Sequence, residues 1–429
     1  MRTKPEHIGS FPGPHDVTRT VFANGLTVLV RENHAAPVAV LEGYLPVGAL
    51  HDPVDKIGLS HYVAQMLTRG SANYNFDTFN EAIESIGANL NVASETHTLA
   101  VGVNSLSEDF PRMVEILADM LRRPMFPIEH MERVRQQKLV SIQERDQDTQ
   151  RTANLRFYET TYPNHPYGRS IAGYKETVSA ITHADLVDFY HEHYTPKGAI
   201  LVLVGDVQTA AVLDLLEQHL GDWQGPAPHQ SVPPAHTRPQ VNRVTVPMPG
   251  KVQSDIVIGC PAPPRPHPDY FAVRVANTIL GVFGMMGRLG ERVREEQGLA
   301  YYCYSSHDAE RDAGVWLAEA GVNPTDVPQA VDSILAEFDR LGSESVSEEE
   351  LADSQAYMTG VLPLALETNA GVAARLLDME WYGLGLDYLQ RYKGLIERIS
   401  VVDVQRVAQT YLRADNYTLV VAGPPTTES

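Results

Sequence analysis

Apolar residues in this chain recur in two rhythms. Leu59, Tyr62, Val63, Met66 and Leu67 fall at i, i+3, i+4, i+7 and i+8, the stripe of an amphipathic helix with one face on a core. The same period runs over residues 110–122 and 327–341. Between such stretches lie aliphatic and β-branched runs closed by glycine, Ile200 to Val204 before Gly205 and Thr418 to Ala422 before Gly423, which read as buried strands. Residues 181–205 and 399–423 correspond at a constant offset of 218, each with an aspartate, Asp185 or Asp403, near the start of its helical pattern. One unit has therefore been used twice. Strand patterns alternating with long helical ones favour sheets with helices packed on them over an all-helical bundle. The reading is two related domains, residues 18–224 and 241–424, joined by a proline-rich extended connector at 225–240.

Composition narrows the partners. The chain has 429 residues, 43% apolar and 21% charged, ordinary for a globular protein with ample core. Lysine and arginine number 34 against 54 acidic residues, a net charge of −20. That balance argues against nucleic acid and anionic membranes, which reward clustered positive charge; it would suit cationic peptides, although a solvated acidic surface explains it more simply. The basic residues Arg2 and Lys4 precede no apolar run of signal-peptide length, and no window approaches the roughly 18 apolar residues of a membrane helix. The expected compartment is the cytoplasm. Cys260 and Cys303 imply no disulfide framework and read as buried apolar residues.

The segment around residue 60 also carries candidate chemistry. On a helix, two histidines at i and i+4 share a face and present two imidazoles to one zinc ion, and in the order His-x-x-Glu-His the glutamate beside them is the general base. A catalytic zinc needs three protein ligands and an open position for water. Here His61 holds the first ligand position, but Ala64 and Gln65 hold those of base and second ligand. Alanine accepts no proton, and a neutral amide is a poor zinc ligand beside imidazole.

The surrounding segments resemble the pitrilysin/insulinase family of zinc metallopeptidases, in particular its short two-domain members related to mitochondrial processing peptidase. The likeness rests on residues 22–30, on Gly43 to Gly48 followed by His51-Asp52, and on residues 58–70. It continues through Ile86-Gly87-Ala88-Asn89-Leu90-Asn91-Val92-Ala93-Ser94, His165-Pro166-Tyr167-Gly168 and Arg294-Glu295-Glu296-Gln297-Gly298-Leu299-Ala300-Tyr301. The resemblance spans residues 18–424 in the family's order. It implies two homologous α+β domains, each a largely antiparallel sheet with helices packed on one side, facing each other as a clam-shell around a cavity. It also places a third zinc ligand, a glutamate, at the position held here by Ser141. Glu144, one helical turn on, would still leave only two ligands with His61, so no metal is expected in this chain.

In relatives, an arginine and a tyrosine seven residues apart in the second domain reach over the zinc and stabilise the oxyanion. Arg294 and Tyr301 fit that spacing, and a guanidinium with a phenol supplies the donors such a site needs; a purely structural role would pair Arg294 with Glu291 and have Tyr301 open a strand. Residues 89–94 resemble the family's edge strand, on which a peptide adds as a further strand, with Asn91, Ala93 and Ser94 lining it. The resemblance implies the zinc-less subunit of a heterodimeric endopeptidase, with zinc and an intact His-x-x-Glu-His in a homologous partner and a peptide as substrate. The alternatives are a scaffold or peptide-binding protein of the same fold, or an independent peptidase recruiting His61, Glu95, His97 or Glu144. The glycine-rich residues 281–290 lack the Gly-Lys-Ser/Thr ending of a phosphate loop. They, with Met285 and Met286, read as packing beneath the Arg294 helix or as a loop governing access to the chamber.

Overall fold

A computed structural model describes residues 11–228, 232, 235, 240–282 and 287–425. Much of the proline-rich connector, and Met285 and Met286, lie outside the described residues. Two compact units emerge, one of residues 1–136, 176–230 and 362–393, the other of residues 137–175, 231–361 and 394–429.

The first unit is built on a six-stranded sheet of β1 (Thr18–Val21), β2 (Thr27–Glu32), β3 (Val38–Leu45), β4 (Asn89–Ser94), β5 (Leu99–Leu106) and β6 (Ile200–Gly205), in the order β1-β2-β6-β3-β5-β4. Only β2 and β6 run parallel. One face packs Val28, Val30, Leu41, Val101, Val103, Leu201 and Leu203 against the Leu59–Leu67 and Phe110–Arg122 helices. The central strands are buried on both sides, as the unbroken aliphatic run of β6 requires. The opposite face, with Leu29, Val40, Ile200, Val202 and Val204, is covered by Val372, Ala373, Leu376 and Leu377 of the Asn369–Trp381 helix. That helix comes from the second half of the sequence. Arg19 of β1 donates twice to the Glu380 carboxylate, at 2.7 and 3.0 Å, and ties the helix to the sheet edge.

The second unit repeats the plan. Strands β7 (Val241–Pro247), β8 (Ser254–Ala262), β9 (Ala300–Ala309), β10 (Gly314–Val322) and β11 (Tyr417–Gly423) lie in the order β7-β11-β8-β10-β9. Here β7 and β11 are the parallel pair, matching β2 and β6, and β9 holds the edge position that β4 holds in the first sheet. The Thr149–Thr161 helix, from the first half of the sequence, packs on β11 and β8. The two halves therefore exchange a helix.

The duplication is visible in the helix caps. Thr182 and Asp185 form a reciprocal capping box on the His183–His193 helix, and Ser400 and Asp403 form the same box on the Val401–Tyr411 helix. Both aspartates singled out by the repeat satisfy otherwise orphaned backbone donors. Among the described residues, no helix is long and apolar enough to cross a membrane.

Candidate functional site

The Leu59–Leu67 helix forms where its periodicity places it, with Leu59, Tyr62, Val63, Met66 and Leu67 buried. Its start is held by a buried carboxylate. Asp52 accepts from the Gly58 and Ser60 backbone N–H groups, both at 2.7 Å, and Gly58 turns into the helix at φ +96°, a conformation that glycine adopts without strain. The Tyr62 hydroxyl donates to the Met131 carbonyl at 2.5 Å, docking the helix on the first turns of the Ile128–Gln147 helix.

On the outer face His61 is half-buried, and Gln65 donates its amide N–H toward His61 Nε2 at 3.5 Å. The i, i+4 pair is brought together as the spacing requires, but its second member is an amide. Ala64 is buried. Ser141 and Glu144 are exposed on the Ile128–Gln147 helix, in the second unit, whereas His61 belongs to the first. Ser141 lines a cleft of about 390 Å³ with Ile142, Arg145, Gln150, Arg151, Asn154 and Ala172. Glu95 is exposed and His97 half-buried. Among the described residues no three His, Cys, Asp or Glu side chains gather as a metal would require. One imidazole, a methyl group and an amide do not make a three-ligand zinc site.

The segment resembling a peptide edge is β4, the last strand of its sheet. Asn91 and Ala93 are exposed on one face, while Leu90 and Val92 point to the core side. Asn91 lies across Gly102 of β5, where an added Cβ would come within 2.2 Å of its Oδ1. Ser94 points the other way. It is buried and donates to Ser60 Oγ at 3.2 Å, so its side chain fastens the strand to the Leu59–Leu67 helix.

In the second unit, Arg294 sits in the helical turn Gly290–Glu296 and Tyr301 is the second residue of β9. Gly298, at φ +63°, reverses the chain between them, with its N–H on the Arg294 carbonyl and the Leu299 N–H on that of Val293, both at 3.0 Å. The Arg294 side chain is 41% exposed and lies 3.5 Å from Glu295, not paired with Glu291. Tyr301 is 63% exposed, and its hydroxyl makes only a long bond to Asn323 Oδ1 at 3.4 Å. Both side chains keep donors available to a ligand.

A polar network on the second sheet carried no sequence signal. The Thr149–Thr161 helix donates from Gln150 and Asn154 to Glu319 of β10, at 3.1 and 2.8 Å. The Tyr158 hydroxyl donates to Asp308, and the Tyr302 hydroxyl donates to Asp255. These pairs join residues between 47 and 169 positions apart, beyond any local motif. Burial pushes the Cys260 and Cys303 thiols up to about 12, which makes both inert at neutral pH.

Comparison with known proteins agrees with this geometry. Residues 27–175 match the family described as insulinase (peptidase family M16), and residues 180–358 match the peptidase M16 inactive domain. The chain is 26% identical, over 95% of its own length and 92% of the relative's, to an uncharacterized zinc protease of Mycobacterium leprae. It is 24% identical to the mitochondrial-processing peptidase subunit beta of Pongo abelii, over 94% and 84% of the two chains. The crystal structure of a peptidase M16 inactive domain from Pseudomonas fluorescens shares the fold, with a TM-score of 0.89 at 22% identity over 96% of this chain and 99% of that one. Two sheets of corresponding strand order, a motif helix whose stripe survives, and matches that together run from residue 27 to residue 358 lead to one conclusion: the chain belongs to peptidase family M16, the insulinase family.

Proposed function

We propose that this chain is the non-catalytic subunit of a two-subunit zinc metalloendopeptidase. It supplies Arg294 and Tyr301 to the oxyanion and substrate backbone at the zinc of a homologous partner with an intact His-x-x-Glu-His, and itself holds no metal. The observation that carries the reading is an asymmetry between the two units. The Leu59–Leu67 helix is fully formed but presents Ala64 and Gln65 beside His61, while Arg294 and Tyr301 stand exposed without a strong internal partner. Preorganised donors of this kind act where negative charge develops as water attacks a carbonyl, and removing one typically costs about a hundredfold or more in turnover. Asn91 and Ala93 on β4 offer main-chain pairing to an extended peptide.

Reconstitution tests the reading. Purified alone, the chain is expected to carry little zinc and to cleave no peptide. Mixed with an M16 sister bearing the complete motif, it should confer peptidase activity, and Arg294→Ala or Tyr301→Phe should lower kcat about a hundredfold with zinc content unchanged. Full turnover with both variants would leave a scaffold role in its place.

A further inference from the structure

Two arginines of the first unit are neighbours with no acid between them. Arg69 stands just beyond the end of the Leu59–Leu67 helix, and the loop after it is pinned. Gly70 accepts from the Met125 N–H at 3.0 Å and bridges to Asn75, and a Cβ on Gly70 would come within 3.0 Å of Pro127 Cγ. Phe76 and the first turns of the Ile128–Gln147 helix are thereby set around the Arg69 side chain. Its guanidinium carbon lies 5.0 Å from the centre of the Phe76 ring. The same ring meets the His130 imidazole at 5.0 Å, with an interplanar angle of 42°. Arg133 follows His130 by three residues and shares its side of the helix, while Met131 and Val134 are buried.

Arg69 is half-buried, and its Nε–H has no hydrogen-bond partner. Among the described residues neither Arg69 nor Arg133 has a carboxylate within salt-bridge distance. Glu132 is taken by Arg135 and Gln136, at 2.9 and 2.7 Å, and the exposed Glu129 and Asp77 pair with neither arginine. Burial, and then the charge of Arg133, hold the Arg69 guanidinium below its usual range. In a chain with 54 acidic residues against 34 lysines and arginines, two neighbouring arginines left without an acid are the exception. A cation at a helix C-terminus is favourable by itself, which accounts for Arg69 but not for Arg133 beside it. A half-buried charge that is repelled and unpaired opposes folding unless a ligand neutralises it.

We propose that Arg69, Arg133 and His130 bind a phosphate dianion, free or as the end group of a small ester. Two guanidinium charges match its two negative charges, where a carboxylate would match one, and their planar N–H forks suit its oxygens. The His130 imidazole adds an N–H donor, and the Phe76 ring holds the Arg69 head in place. The site lies within the first unit and stands whether or not Arg294 and Tyr301 serve catalysis.

Isothermal titration calorimetry on the full chain at constant ionic strength tests it, with inorganic phosphate, glycerol 3-phosphate and acetate as titrants. One equivalent of phosphate or of the ester should bind, the tighter of the two identifying the source, and acetate should bind about tenfold more weakly or worse. Arg69→Gln and Arg133→Gln should each weaken phosphate binding about tenfold or more, as loss of a charge-assisted hydrogen bond does. Arg398→Gln, the same charge change at an exposed arginine of the second unit, should leave it unchanged. In phosphate-free buffer Arg133→Gln should melt above Arg398→Gln, because it alone relieves the repulsion on Arg69; a purely structural role for Arg133 predicts the reverse. Failure of both phosphates to bind, acetate binding as tight as theirs, wild-type affinity in Arg133→Gln, or a phosphate-free melting temperature for Arg133→Gln below that of Arg398→Gln would overturn the proposal.

Discussion

Single residues carry more of this molecule's stability than their types suggest. Asp52 lies outside the helix it starts, yet it satisfies two of that helix's orphan N–H groups from a buried position. Asp52→Ala is expected to cost about 2 kcal/mol, as loss of a cap with buried donors left unpaired does, read as a lower urea midpoint at unchanged slope. His307 gives the chain an acid limit. Burial holds its imidazole neutral, lowering its pKa from 6.5 to about 4, with Nε2 bonded to the Pro263 carbonyl at 2.9 Å. The unfolded chain takes up this proton first. His307 therefore contributes fully above pH 6.5 and progressively less as pH falls toward 4, a loss of about 3 kcal/mol across the window. Denaturant titrations of wild type and His307→Gln should show a flatter acid limb in the variant.

Among the elements, the exchanged helices decide most. The Asn369–Trp381 helix seals a face of the first sheet, and the Thr149–Thr161 helix packs on the second. Leu376, fully buried on that first face, should cost about 2 to 5 kcal/mol on substitution by alanine. A half-chain of residues 1–224 lacks the helix that covers Leu29, Val40, Ile200, Val202 and Val204, so it should aggregate when expressed alone and become soluble with residues 225–429 supplied in trans. Solubility assays on the separate and co-expressed halves decide this. The element-level signals that were legible are local ones: the stripe of the Leu59–Leu67 helix, the aliphatic runs of β6 and β11, and the aspartates of the two capping boxes all depend on neighbours within a few residues. The direction of Ser94 was not among them. It follows from the register of β4 on β5, which turns Ser94 inward beside Ser60.

For the molecule as a whole, the net charge of −20 makes self-repulsion a steady opponent of folding. Raising sodium chloride from about 20 to about 300 mM should raise the melting temperature by a few degrees, since screening relieves exposed like charges over roughly a Debye length; a fall over that range would show that favourable ion pairs outweigh the repulsion. The amino-acid sequence by itself determined the duplication, the strand and helix patterns, the family, and the substitution of Ala64 and Gln65 beside His61, because periodicity, capping and motif spacing are written in residues that stand close along the chain. Tertiary structure alone decided which helix covers which sheet, that β4 and β9 are both sheet edges, and that Arg69 and Arg133 are neighbours beside Phe76 and His130. Those arrangements arise from contacts between residues far apart in the chain, where burial and strand register, rather than local spacing, choose the partners.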